Sequence, residues 1–390
     1  MPGDKWSPLP RTMALFVLAG LLVVGQMYVV LPMLTQMGAS FGTRPSTMAV
    51  AATVFGLAYS FGFLCAGPLA GHFGQRNLII AGLLSSGVLT IGVALAPEPP
   101  ALLCVRMVQG FCSAMFLPSA LSYVVAHIRP ESRVLMISCV TTSAFAAAVV
   151  MQAVAQLTVN SLGWRGVFVL SGTSVVALGL LARIILLKTS GRSDQSLLQS
   201  FRLIPKLLVR PELLALYLGA FLLLGCFVAV YVGITLSGPE QVKGSQQALF
   251  ALRISGLPAM IAVPLLAPML RRYPAFGRVV FGFCVSALAA VVAAFVSASV
   301  LQLALVLLVF VAAAVMTAPA LVELVGSSAG AGNGGVATAL YGFAMFFGGS
   351  LGGQLVGQFG EMSFRTLLFS IAAALIAGAG LTVFSRTASK

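Results

Sequence analysis

The feature that most limits this chain is a succession of apolar runs, each about twenty residues long, with charge held to the short stretches between them. Only 8% of the residues are charged, against roughly 25% in soluble domains. So few charges cannot clothe a surface in water, so most of the surface must face lipid. Inside a bilayer every backbone N–H and C=O has to be paired internally, which leaves helices and closed barrels. Barrel strands alternate apolar and polar residues over about ten positions. These runs do not alternate, so the chain is read as helical. The first run, Met13 to Leu34, exceeds the roughly 7–15 residues of a signal-peptide core and is read as a span.

Punctuation between the runs gives twelve expected spans: 12–34, 47–69, 77–96, 100–124, 134–158, 164–187, 211–236, 247–270, 276–297, 300–323, 333–358 and 363–384. Pro97, Pro99 and Pro100 separate the third from the fourth, because proline withholds an N–H and stops a helix. Arg271, Arg272 and Pro274 separate the eighth from the ninth. The expected organisation is an N-terminal six-helix bundle over 1–187, a linker over 188–210 and a C-terminal six-helix bundle over 211–390.

The net charge of +14 could suggest nucleic acid, but its placement suggests topology. With the N-terminus inside, sixteen of the 22 Lys and Arg residues fall on the inner side; the other six are Arg44, Arg106, Arg165, Lys243, Arg253 and Arg365. The positive-inside rule then puts both termini in the cytoplasm of a cell (inner) membrane. The basic residues serve orientation and attraction to anionic headgroups rather than nucleic acid. In the linker, Leu197, Leu198, Phe201, Ile204, Leu207 and Leu208 form one face of a short interfacial helix, with Arg202, Lys206 and Arg210 reaching headgroups. Pro205 is expected to kink or split it. The six cysteines all lie inside apolar runs without CxxC spacing, and read as packing residues. No metal or cofactor is expected.

A shift of 200 lays one half over the other: Gly25 on Gly225, Thr35 on Thr235, Gly38 on Gly238, Gly56-Leu57 on Gly256-Leu257, Pro68 on Pro268, Trp164-Arg165 on Phe364-Arg365. Six spans per half give both halves the same orientation. The expected fold is therefore all-α and integral to the membrane, with twelve transmembrane helices in two six-helix bundles related by a pseudo-twofold along the membrane normal. Such repeats place a substrate site between them near mid-membrane.

Three motifs carry a resemblance. Gly67-Pro68-Leu69-Ala70-Gly71-His72-Phe73-Gly74-Gln75-Arg76 follows the second span, Arg106-Met107-Val108-Gln109-Gly110 lies in the fourth, and Gly163-Trp164-Arg165 precedes the sixth. The chain resembles the major facilitator superfamily over its whole length, and is most similar in layout to its twelve-helix drug:proton antiporter branch. The resemblance implies alternating access, proton or substrate coupling at Arg106, and a gate loop around Gly67, Gly74 and Arg76. Departures are plain. The family has Asp at the place of Gly71 and Arg at the places of His72 and Gln75, so charged residues that latch the family's gate by an ion pair are replaced here. The Gly-Pro pair of the antiporter branch is absent from the fifth span, which reads Ala146-Ala147-Ala148-Val149-Val150-Met151-Gln152. The eleventh span is glycine-rich instead, at Gly348, Gly349, Gly352, Gly353 and Gly357. Small residues there read as helix packing.

From the residues themselves, Gly67 and Gly74 are expected to bracket a tight turn, with Arg76 capping helix-end carbonyls or holding a gate. Charge within a span is costly and usually functional. Arg106, with Gln109 on the same helix face, is read as a coupling group or as an arginine that snorkels to headgroups. Arg253 carries the same two readings. No acid sits in mid-span. Asp4, Glu98, Glu131, Asp194, Glu212, Glu240 and Glu361 fall in termini, loops or span ends, and Glu323 at the end of span ten. Glu323 is a candidate proton carrier and, equally, a solvated helix end. Gln26, Tyr28, Gln109, Ser113, Gln152, Tyr217, Tyr231, Arg253, Thr317 and Tyr341 are the candidate cavity groups, in a setting suited to an amphipathic organic molecule.

The leading expectation is a secondary active transporter exporting a small amphipathic compound in exchange for protons, acting as a monomer in the lipid bilayer. The rivals are uptake or facilitated passage of a small anion or metabolite, and a non-transporting receptor of the same fold. An intramembrane enzyme is disfavoured: HExxH, a nucleophile elbow and paired acids within a span are all missing from the sequence.

Overall fold

The structure is a computed structural model that describes residues 6–188, 197–243, 245–296, 299–330, 333–358 and 362–388. Asp4, Lys5, Arg192, Asp194, Glu361 and Lys390 lie outside the described residues, as do 189–196 of the expected linker and the side chains of Leu197, Leu198, Glu240 and Lys243.

All regular structure among the described residues is helical. The elements are α1 (Leu9–Gly25), α2 (Leu34–Phe41), α3 (Pro45–Phe73), α4 (Gln75–Ala94), α5 (Pro99–Ser113), α6 (Phe116–His127), α7 (Pro130–Ile185), α8 (Leu197–Leu208), α9 (Pro211–Ser237), α10 (Glu240–Lys243), α11 (Gln246–Ile254), α12 (Leu257–Leu270), α13 (Ala275–Val296), α14 (Val300–Ser328), α15 (Gly334–Gln358) and α16 (Phe364–Ala388). Among the described residues ten apolar segments are long enough to cross a bilayer. One of them, the 56-residue α7, is long enough to cross twice, and α1 with its continuation into α2 completes the twelve spans. The chain divides into two compact units, 1–202 and 203–390.

Several spans expected as single helices are broken, each near a proline. The first stops at Gly25, passes through turns at 26–30 and resumes as a 3-10 turn at Leu31–Met33. Pro32 cannot donate to a carbonyl one turn back, and it disfavours helical geometry at Leu31. The fourth span is interrupted between α5 and α6, ahead of Pro118, and the eighth between α11 and α12, ahead of Pro258. Irregular backbone at membrane depth has to be shielded by protein, and Gln26 to Val30 are all buried.

Spans five and six are joined with no loop. Within α7 the one residue with non-helical angles is Gly163, at φ 66° and ψ 167°. Likewise α3 and α4 are separated by Gly74 alone, at φ 85°. A side chain strains such backbone, so glycine is needed at both places. The expected turn between Gly67 and Gly74 is corrected here: α3 runs helically through Gly67 and Pro68 to Phe73. Glycine permits a turn without imposing one, and membrane helices tolerate an internal proline. Pro205 likewise stays within α8 without splitting it.

Glycines set the closest helix contacts inside each unit. In the first, a Cβ at Gly87 would lie 2.9 Å from the Gly172 carbonyl oxygen, and one at Gly172 would lie 2.8 Å from that of Gly87. In the second, Gly348 and Gly352 of α15 bring their backbones against Phe221 and Gly225 of α9.

Candidate functional site

The sharpest sequence candidate occupies the centre of the first unit. Arg106 is 0% exposed on α5, which removes the snorkelling alternative for it. Nε donates to the Ala51 carbonyl oxygen of α3 at 3.2 Å, Nη2 to the Gln26 main-chain oxygen at 2.8 Å, and Nη1 to Gln109 Oε1 at 3.0 Å. The guanidinium lies 4.4 Å from the Phe55 ring centre and 5.9 Å from that of Phe168. Both rings offer their faces to the cation. The break in span one explains the Gln26 contact. Where α1 stops, carbonyls lose their regular partners, and Arg106 takes one of them.

The polar chain continues beyond Arg106. Gln109 Nε2 donates to Thr90 Oγ1 at 2.6 Å, Thr90 Oγ1 to the Ser86 carbonyl oxygen at 2.7 Å, and Ser86 and Ser113 share a hydroxyl contact at 2.6 Å. All five side chains are fully buried. Gln109 and Ser113, four residues apart on α5, meet Thr90 and Ser86, four apart on α4, in antiparallel register. Ser86 and Thr90 were missed by sequence reasoning. The signal was present: two hydroxyls at helical spacing on one face of an otherwise apolar span.

Among the described residues the charge has no acidic counterpart. The one ion pair found among the described residues joins Arg278 to Glu323 in the second unit, and the Glu323 side chain is 55% exposed. Glu323, in the last turns of α14, is thus engaged by an arginine of α13.

Other candidates are more dispersed. Gln26 donates through Nε2 to the Leu22 oxygen, while its buried Oε1 has no hydrogen-bond partner among the described residues. The same holds for the buried hydroxyls of Tyr28, Tyr217 and Tyr231. Gln152 donates to the Ala148 carbonyl one turn back on α7. Thr317 donates to Ala313 and packs on Gly282, and Tyr341 donates to the Ala318 oxygen at 3.2 Å. Arg253 is half-buried, with Nη2 3.5 Å from Thr235 Oγ1. Arg76 caps helix-end carbonyls, donating from Nε to Leu186 at 3.0 Å and from Nη2 to Arg183 at 2.6 Å. A separate apolar cavity of about 360 Å³ opens between α9, α15 and α16, walled by Gly225, Gly348 and Gly352. It contains none of the candidate residues.

The family model of the Major Facilitator Superfamily matches residues 16–353. The chain belongs to this superfamily. Among curated relatives, an uncharacterized MFS-type transporter of Mycobacterium tuberculosis is 30% identical over 130 residues, 33% of this chain and 22% of that protein. The methylenomycin A resistance protein of Streptomyces coelicolor is 30% identical over 110 residues, 28% of this chain and 23% of that protein. The matched stretches thus span less than a quarter of these relatives' length. Among solved structures, the MFS proton:xylose symporter XylE bound to 6-bromo-6-deoxy-D-glucose superposes with a TM-score of 0.74 at 13% identity, covering 95% of this chain and 94% of that one. At that identity the likeness speaks for the fold.

Proposed function

We propose that the protein is a secondary active transporter that exports a small amphipathic organic compound by alternating access, coupled to protons through Arg106. The observation that carries this reading is the guanidinium buried at the meeting of spans one, two and four without a carboxylate partner among the described residues. Charge inside a span costs on the order of 2.5–3.5 kcal/mol on insertion scales. Here no ion pair offsets that cost, so it is read as the requirement of a coupling step. The name of the methylenomycin A resistance relative favours export. In this reading the chain is organised as bundles 1–187 and 211–390, joined by 188–210, and it carries a substrate cavity. Gln26, Tyr28, Tyr217, Tyr231, Thr317 and Tyr341 supply its few polar contacts, and the ends of the chain lie in the cytoplasm.

A second reading has its own support. Because Glu323 is engaged by Arg278, an anionic substrate can bring the charge that drives coupling, with Arg106 or Arg253 as its partner. Purified protein in sealed vesicles with an internal pH dye separates the two. Ethidium and tetraphenylphosphonium serve as amphipathic cations and benzoate as the anion, with Arg106→Ala and Glu323→Gln beside wild type. Cation-dependent proton movement that is lost in Arg106→Ala and kept in Glu323→Gln supports proton-coupled export through Arg106. Benzoate flux without proton movement overturns it in favour of the anion carrier. Binding without flux of any probe overturns transport itself.

A further inference from the structure

The donors of the buried polar chain all point one way. Arginine can only donate, so the Gln109 atom that faces Arg106 has to be the carbonyl oxygen, and the amide nitrogen then has to face Thr90. Thr90 suits this because its hydroxyl proton is committed to the Ser86 carbonyl oxygen at 2.7 Å, which leaves an oxygen lone pair for Gln109. Without a hydroxyl at that position the buried amide nitrogen loses its acceptor, and the guanidinium alone is left to hold the amide. The reversed amide would set donor against donor. Bulk water does not reach Arg106, Gln109 or Thr90, since all three are fully buried, so an unmade bond there goes uncompensated.

From this we infer that Thr90 is a positioning residue for Arg106: its hydroxyl anchors the amide nitrogen of Gln109, and through the amide holds the guanidinium turned toward the Gln26 and Ala51 carbonyls. The inference rests on the reading of Arg106 as the coupling group and extends that reading to span three. Thr90→Val keeps the shape and removes the hydroxyl. Thr90→Ser keeps the hydroxyl and removes a methyl group.

The full-length protein carries the test in two arms. In the first, melting temperatures in detergent are compared for Thr90→Val, Arg106→Met and the double variant. A combined drop smaller than the sum of the single drops is expected, because an amide freed of the guanidinium no longer needs a fixed orientation. Strict additivity overturns the inference whatever the protein transports. In the second arm, proton movement driven by ethidium is measured in vesicles. Thr90→Val is expected to lose roughly tenfold, comparable to one buried hydrogen bond between neutral groups, and Thr90→Ser to stay near wild type. Wild-type proton movement in Thr90→Val overturns the inference, as does failure of Thr90→Ser to rescue, which would assign position 90 to packing. If wild type moves no proton with ethidium, the coupling reading fails, and the melting cycle alone then decides whether Thr90 positions Arg106.

Discussion

Arg76 and Arg165 close opposite ends of one antiparallel helix pair. Arg76, at the start of α4, donates to the Arg183 and Leu186 carbonyls at the end of α7. Arg165, just past Gly163 in α7, donates to the Ala94 and Ala96 carbonyls at the end of α4. Each helix thus begins with the cation that finishes its neighbour, where orphan carbonyls and the dipole favour positive charge. The shift of 200 carries Arg76 to Phe276 and Leu186 to Arg386, and there the guanidinium of Arg386 lies 4.8 Å from the Phe276 ring centre. The second half keeps the join and moves the arginine to the other helix.

Arg76→Ala should therefore destabilise the protein by about 1–2 kcal/mol, since two charge-assisted bonds are lost at a half-exposed position. Arg76→Lys should recover little of this, because an ammonium cannot fork between two carbonyls. Melting temperature in detergent checks both variants.

Gly74→Ala and Gly163→Ala each force a side chain onto backbone at positive φ, 85° and 66°. The cost is of order 1–3 kcal/mol per position. Space is no obstacle at Gly163, where a Cβ meets nothing within 4 Å, so the loss there reports backbone strain alone. The folded yield on size-exclusion chromatography should fall for both.

A contrast within the second unit separates packing from propensity. Gly348→Ala drives a methyl group into the Phe221 carbonyl of α9, an overpacking expected to cost about 1–3 kcal/mol. Gly277→Ala, helical in α13 with open space around it, should stabilise by roughly 0.5–1 kcal/mol. Melting temperatures that move in opposite directions are the expected outcome.

Glu323→Gln should change stability by less than about 1 kcal/mol, because the carboxylate that meets the largely buried Arg278 is itself 55% exposed. Salt should weaken what effect there is. Melting with and without added salt checks this.

The spans were legible because hydropathy and length act locally. The breaks within them were not. Pro32 marks where span one is weak, but the carbonyl that Arg106 takes is chosen by a residue eighty positions away. The turn expected between Gly67 and Gly74 shrinks to Gly74 alone, because α3 stays helical through Gly67 and Pro68 to Phe73. Ser86 and Thr90 look like packing residues until Gln109 and Ser113 are brought opposite them. The Arg278 contact of Glu323 likewise joins residues 45 positions apart.

The single-residue join at Gly163 has a mechanical consequence. A loop between spans five and six would absorb displacement as slack. One glycine has only two soft torsions to spend, so a tilt of span five is transmitted to span six, and from there through Arg165 to the end of α4. Three helices of the first unit are in this way geared together, and a change sensed by any one of them is shared before it can dissipate.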